Sequence, residues 1–188
     1  MGFITVHLKP AVAAIALVFA SLHPAGAEDA EDRVETLLEE LSEAEGPQAR
    51  KIARDIEIAW SQSGSASANL LLRRGDDALE EEDYAAAVEH FTALTDHAPD
   101  FAEGWHGRAR AFFALEEYGL ALNDLHQTLA LNPRHFGAIF GLGTILEQVE
   151  RPQAAYEAYK ILLNLYPAHE KALEATARLE RDVNGTEL

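Results

Sequence analysis

Six histidines follow residue 27: His90, His97, His106, His126, His135 and His169. Histidine is the side chain best suited to acid–base work or metal ligation near neutral pH. A helical metal site wants two of them three or four residues apart, or an HExxH arrangement, and neither pattern occurs. The expectation is therefore no metal and no cofactor. His135 stands in NPRHFGA, where a helix opens after a proline turn, and is expected to make a turn or capping hydrogen bond. The carboxylate run Glu80-Glu81-Glu82-Asp83 reads as a solvated helix end, because a general acid or base needs burial or a close partner to retune it. No glycine-rich phosphate loop and no nucleophile elbow is present, and the absence of cysteine removes thiol chemistry. These residues predict a protein that is not an enzyme.

The bulk properties narrow the partners. The chain has 188 residues and a formal net charge of −17. That charge opposes nucleic acid and anionic membrane, both of which need a basic footprint. Near the N-terminus, Lys9 precedes the apolar run AVAAIALVFASL, and Ala25-Gly26-Ala27 fits small-x-small cleavage. The segment 1–27 thus reads as a secretory signal peptide cut after Ala27. Its apolar run of twelve residues is shorter than the roughly 20 that span a bilayer. A mature chain with no membrane insertion, in the periplasm or secreted, is expected. With no cysteine to cross-link it, its apolar core alone must hold it together.

What must position any functional residue is a repeat. Pro99, Pro133 and Pro167 are 34 residues apart, as are Ala87, Ala121 and Ala155. Phe91, Leu125 and Tyr159 keep the interval, and so do Gly75, Ala109 and Gly143. Leu71, Trp105 and Ile139 form another such series, and Ala78, Phe112 and Leu146 a sixth. Each unit reads as two helices. Trp105, Ala109, Phe112 and Phe113 mark one face of the first, and Ala121, Leu122, Leu125 and Leu129 one face of the second. Gly119 with Glu116-Glu117 marks the turn between them, and Asn132-Pro133 ends the pair. The small residues at 75, 109 and 143 are expected to let a neighbouring helix approach closely.

The pattern Trp105-x2-Arg108-Ala109-x2-Phe112, Ala121-x3-Leu125, Pro133 resembles the tetratricopeptide repeat (TPR). The units before and after it follow the same frame with Gly75, Phe91 and Pro99, and with Gly143, Tyr159 and Pro167. The resemblance implies an all-α, right-handed α-solenoid of stacked antiparallel helix pairs, and a secreted or periplasmic bacterial member of the family. Its three units are 68–101, 102–135 and 136–169. Arg74 and Arg108 replace the motif's leucine, and their stems are expected to follow the packed face while the charge stays wet. Residues 170–188 read as a polar-backed capping helix and frayed tail, with Leu173 and Ala177 in the core register and Glu180 facing out. Residues 28–67 read as an acidic helical hairpin and linker. Leu37 and Ala53 lie 34 before Leu71 and Ala87, which predicts a degenerate fourth repeat capping the N-terminal end of the stack. SQSGSASA, 61–68, is the expected hinge.

In that family the first helices line a groove that takes an extended peptide or a partner helix. The positions left free by the core assignment then give a candidate partner-binding set of Asn69, Arg73, Asp76, His106, Arg110, Phe113, Phe140 and Thr144. Asn69, Arg73 and Arg110 suit peptide backbone or a carboxylate, and Phe113 and Phe140 suit apolar anchors. The best-known carboxylate clamp of the family wants Lys and Asn where Leu72 and Asp76 stand, so its specificity does not carry over; Asp76 suits a basic group. The function expected is a non-enzymatic protein–protein interaction module or scaffold in the periplasm. The alternative is a structural accessory subunit of a cell-envelope complex (cell-wall, secretion or cytochrome-maturation), or a self-assembling protein.

Overall fold

The computed structural model describes the backbone of residues 25–185 and the side chains of 32–181. Residues 1–24, most of the expected signal peptide, lie outside the described residues. The elements are α1 (Ala25–Glu43), α2 (Gly46–Trp60), α3 (Ala66–Glu80), α4 (Tyr84–His97), α5 (Ala102–Ala114), α6 (Tyr118–Leu131), α7 (Phe136–Gln148), α8 (Pro152–Leu165) and α9 (Glu170–Gly185). There is no strand among the described residues. The pairs α3–α4, α5–α6 and α7–α8 are the three repeats, stacked in chain order, with α9 covering α8.

The turn inside each pair is built the same way. Glu82, Glu116 and Glu150 adopt left-handed φ values of 59°, 61° and 57°. At the first turn, Glu82 N–H donates to the Leu79 carbonyl at 3.2 Å and Asp83 N–H to the Ala78 carbonyl at 2.9 Å. This double closure satisfies carbonyls that a helix end leaves open. The expected turn glycine is not the residue that reverses the chain: Gly119 lies inside α6, and Glu116 carries the left-handed strain.

Size matching holds the stack. The buried Phe91 ring occupies space against two first helices: a Cβ added at Gly75 would come within 2.5 Å of it, and one at Gly107 within 2.3 Å. Tyr159 occupies the same place over Gly143, at 2.5 Å. In the middle repeat the large residue is Leu125, and the facing position is Ala109 rather than glycine. Small residues opposite aromatics thus permit the close approach expected of the 34-residue spacing.

Arg108 departs from the expectation of a wet charge. Its guanidinium is held by both Asp124 oxygens, at 2.7 and 2.9 Å, and by Thr95 Oγ1 at 3.1 Å. The Trp105 ring lies 4.9 Å from it. The Arg108 side chain is 16% exposed and that of Asp124 6%, so the motif's leucine is replaced by a buried ion pair joining three helices. Arg74 stays exposed.

The two ends correct the sequence reading. The hairpin α1–α2 forms, yet it does not stack in front of α3. Leu38, Leu41, Ile52 and Ile56 belong to one buried cluster with Phe136, Tyr159, Leu162, Tyr166 and Leu179. Trp60 stacks on His135 at 4.8 Å, Arg50 pairs with Glu170 at 2.6 Å, and Arg134 pairs with Glu35. The hairpin therefore folds back onto the third repeat and α9. The physical reason is on α3: where the middle repeat presents Gly104, Gly107 and Ala111 to the preceding helix, α3 presents exposed Leu70, Arg73 and Asp77. The expected hinge is tied: Ser63 donates to Asn69 Oδ1 from both its N–H (3.0 Å) and its hydroxyl (2.6 Å), and Ser65 caps α3. In α9 the buried residues are Ala172, Ala175 and Leu179, facing α8. Leu173, Ala177 and Glu180, which would meet a second helix of their own, are exposed. Leu173 and Ala177 therefore do not join the core.

These contacts give two predictions. Gly75→Ala and Gly107→Ala should each destabilise by about 1–3 kcal/mol through overpacking against Phe91. Gly141→Ala, where the nearest atoms of Leu125 are at 3.5 Å, should instead be neutral or stabilise by up to ~1 kcal/mol through helix propensity. Urea unfolding of the three variants checks the sign. Removing one partner of the buried pair, Arg108→Met or Asp124→Leu, should cost about 3–5 kcal/mol, and the double variant much less than the sum.

Candidate functional site

The first helices are neighbours along one side of the stack, α3 touching α5 and α5 touching α7. Between α5 and α7 lies a cavity of about 470 Å³. His106, Arg110, Phe113, Phe140 and Thr144 all line it, together with Leu79, Leu125 and Ile145. Five of the eight predicted binding residues are thus brought to one place. Asp76 adjoins them through an ion pair with Arg110 at 3.0 Å. The remaining two do not join the site. Asn69 is used in the Ser63 turn, and Arg73 lies exposed on the open front of α3. Leu72 is 7% exposed and belongs to the core.

A second cavity of about 460 Å³ shares Gly137 and Phe140 with the first. Its other walls come from α2 (Arg50, Ala53, Arg54, Glu57), from Phe136, and from Tyr166 and Ala168 to Lys171 around the start of α9. The residues that the sequence reading missed are those of α2, since no local pattern tells which end of the stack the hairpin will cover. Gly137 and Gly141 were legible, being spaced four apart beside Phe140.

Behind the groove, the fold assembles a cluster that sequence spacing did not show. Glu103, His106 and His135 come together, the two histidines standing 29 positions apart. The His106 and His135 rings lie 4.3 Å apart. His135 Nδ1 accepts the Ala138 N–H at 3.1 Å, so Nε2 carries the proton and donates to Glu103 Oε1 at 2.9 Å. His169 caps α9 in the same way, accepting the Ala172 N–H at 3.1 Å. The 34-residue interval from His135 to His169 carried that signal. One ligand atom from each member of the triad lies within 4.8 Å of the others, a spacing compatible with a metal ion. The donor chemistry does not fit: metal at His135 Nε2 would require Nδ1–H to point at the Ala138 N–H.

Burial pushes Glu103 up, but the adjoining His106 and the hydrogen bond from His135 outweigh it and hold the carboxyl below the usual range. Burial, followed by the nearness of His135, pushes His106 down to about 4. Burial raises Asp76 against the opposing pull of Arg110. Glu57, on the α2 wall of the second cavity, is raised by burial and then by the charge of Glu103.

The fold and site together define a class, a helical-repeat protein with a side-chain-sized groove along its first helices. The tetratricopeptide repeat family profile matches residues 72–125 and 106–170, and the chain belongs to that family. A TPR repeat-containing protein of Rhizobium etli is 34% identical over 154 residues, covering 81% of this chain and 76% of its own length. The small glutamine-rich tetratricopeptide repeat-containing protein 2 of Saccharomyces cerevisiae is 28% identical over 63% of this chain, which spans only 38% of that protein. Among solved structures, the first TPR domain of Spaghetti (RPAP3), bound to an HSP90 peptide, superposes with a TM-score of 0.62 at 22% identity, covering 64% of this chain and 95% of that one.

The half-buried His106 gives a pH prediction. A histidine whose folded pKa lies below its unfolded value stabilises fully above about 6.5 and loses that contribution as pH falls towards 4. In that window the unfolded chain holds the extra proton, a slope of up to ~1.4 kcal/mol per pH unit. His106→Gln should flatten the pH dependence of the urea midpoint between 6.5 and 4 relative to wild type, with little change of slope above pH 7.

Proposed function

We propose that the mature protein is a non-enzymatic interaction module of the bacterial periplasm, holding a peptide or helix of a partner protein in the groove between α5 and α7. The observation that carries this reading is the apolar cavity walled by Phe113, Phe140, Leu125 and Ile145, with the Arg110–Asp76 pair at its edge. Such a place accepts one large side chain and gives the flanking backbone polar partners. A structurally similar TPR domain is described as bound to an HSP90 peptide, which supports the groove as a peptide site. The clamp positions Leu72 and Asp76 argue against the same ligand chemistry here. No helix among the described residues is long and apolar enough to cross a membrane.

The signal peptide is part of the proposal. Terminal sequencing of protein recovered from the periplasm should begin at Glu28; protein retained in the cytoplasm with Met1 intact would refute the location. For the groove, the mature protein is used as bait in periplasmic and membrane extracts beside an Arg110→Glu/Phe140→Ala variant of equal thermal stability. Partners captured by the wild type should be lost by the variant, and equal capture would rule the groove out.

The alternative, an accessory or self-assembling subunit, draws support from the outer face of α9, where Leu173 is 48% exposed. Under that reading, sedimentation should show a concentration-dependent oligomer that Leu173→Glu dissociates.

A further inference from the structure

Building on the groove reading, we infer that the occupant is a basic–apolar segment: one large apolar side chain fills the cavity between α5 and α7, and a flanking Lys or Arg meets Glu57 and Asp76 on its two sides. The site is then incomplete without the N-terminal hairpin, because Glu57 belongs to α2.

The charges around the cavity support this occupant. Arg110 is the cation lining it, and its side chain is 52% exposed. Four carboxylates act on that region, Glu57, Asp76, Glu80 and Glu103, against the guanidiniums of Arg110 and Arg54. Histidine does not redress the balance. His135 Nδ1 is occupied in accepting a backbone N–H, and the half-buried His106, pushed down to about 4, carries no charge near neutral pH. Carboxylates still outnumber cations around the two joined cavities when Arg50, Glu170 and Lys171 of the second are counted, in a chain whose net charge is −17. Asp76 and Glu57 both sit above their ordinary pKa because burial outweighs the counter-charge of the arginines near them. A ligand cation supplies that charge, while an anion entering there meets repulsion.

The geometry makes α2 a wall of the site. Gly137 and Phe140 line both cavities, so the space between α5 and α7 continues into the space beneath α2. The hairpin is held there by Trp60 on His135 and Phe136, with ring centroids 4.8 and 5.0 Å apart. His135 is in turn fixed by Glu103, which places the docked hairpin and the groove lining on one hydrogen-bonded element.

The test uses the mature protein and three fluorescein-labelled 12-residue peptides: one with Leu-Phe flanked by lysines, one with glutamates replacing the lysines, and one with Ala-Ala replacing Leu-Phe. Binding is followed by fluorescence anisotropy at two salt concentrations. The lysine peptide should bind at least roughly tenfold tighter than the glutamate peptide, with the gap narrowing at high salt. Glu57→Gln and Asp76→Asn should each weaken it roughly three- to tenfold, and Glu57→Lys should narrow or reverse the preference. Phe140→Ala, or the Ala-Ala peptide, should abolish saturable binding. Preference for the glutamate peptide, with Phe140→Ala still weakening it, would overturn the basic occupant and leave the groove reading intact. Binding indifferent to Phe140→Ala, or no binding of any peptide, would overturn both. Circular dichroism melts confirm that the variants are folded.

Discussion

The fold depends on how closely its helices approach, and that is set by aromatic rings lying on glycines. Phe91 occupies the space that side chains at both Gly75 and Gly107 would take, so one ring from a second helix fixes its own partner and the next repeat together. Tyr159 does the same over Gly143, with its hydroxyl donating to Glu147 at 2.9 Å. Glycine within a helix costs about 1 kcal/mol relative to alanine, and dispersion contacts across a close helix pair outweigh that loss. Leu125 against Ala109 shows that volume is the conserved quantity within the stack, since a smaller second-helix residue coincides with a larger first-helix one. Phe91 spaces α3 from α5, and Leu125 packs with Ala109 of α5 and against Gly141 of α7, so the width of the groove between α5 and α7 follows from core packing.

A stack built this way has ends, and the sequence marks them with side chains that cannot be packed upon. Arg73 occupies the position that Gly107 and Gly141 hold in the following repeats. A preceding second helix laid there would bury the guanidinium without a partner, which costs several kcal/mol. The hairpin α1–α2 consequently finds its apolar stripe satisfied elsewhere. Phe136, Tyr166 and the α9 residues offer an apolar surface at the opposite end, and Arg50 and Arg134 supply ion pairs at its edge. Exposed pairs of this kind contribute less than about 1 kcal/mol each. The buried Ile52, Ile56, Leu38 and Leu41 therefore dominate the docking.

What could be read in advance divides along the same physical line. The helix pairs, their turns and five groove residues follow from interactions within 34 residues, and the repeat multiplies that local signal threefold. Arg73 and Asn69 were assigned to the groove by spacing alone, although the glycines at 107 and 141 already placed Arg73 on the stacking face. The destination of the hairpin, the Arg108–Asp124 pair and the Glu103–His106–His135 cluster depend on contacts between separate helices. Arg108 shows why such contacts stay hidden: its aliphatic stem and its charge imply opposite surroundings, and only the position of Asp124 on the neighbouring helix decides between them. Which residue reverses the chain in each turn was hidden for a different reason. Glutamate is disfavoured in left-handed backbone by roughly 1–2 kcal/mol, yet Glu82, Glu116 and Glu150 accept it because the paired carbonyl closures fix the turn.

The cluster behind the groove shows how a structural device shapes a binding surface. His135 ends the proline turn by capping α7, which fixes its tautomer and directs its Nε2–H at Glu103. Glu103 is thereby kept ionised in a half-buried place, and its charge bears on both Glu57 and Asp76. Trp60 covers the far face of the His135 ring, so α2 is held against the same residue that orients the buried carboxylate. A side chain chosen to start a helix thus also sets the sign of the field at the groove and the position of its second wall. Replacing His135 by the phenylalanine found at the equivalent position 101 would keep the ring for Trp60 to stack on while removing the donor to Glu103. Stacking and charge orientation are therefore separable contributions of this one residue.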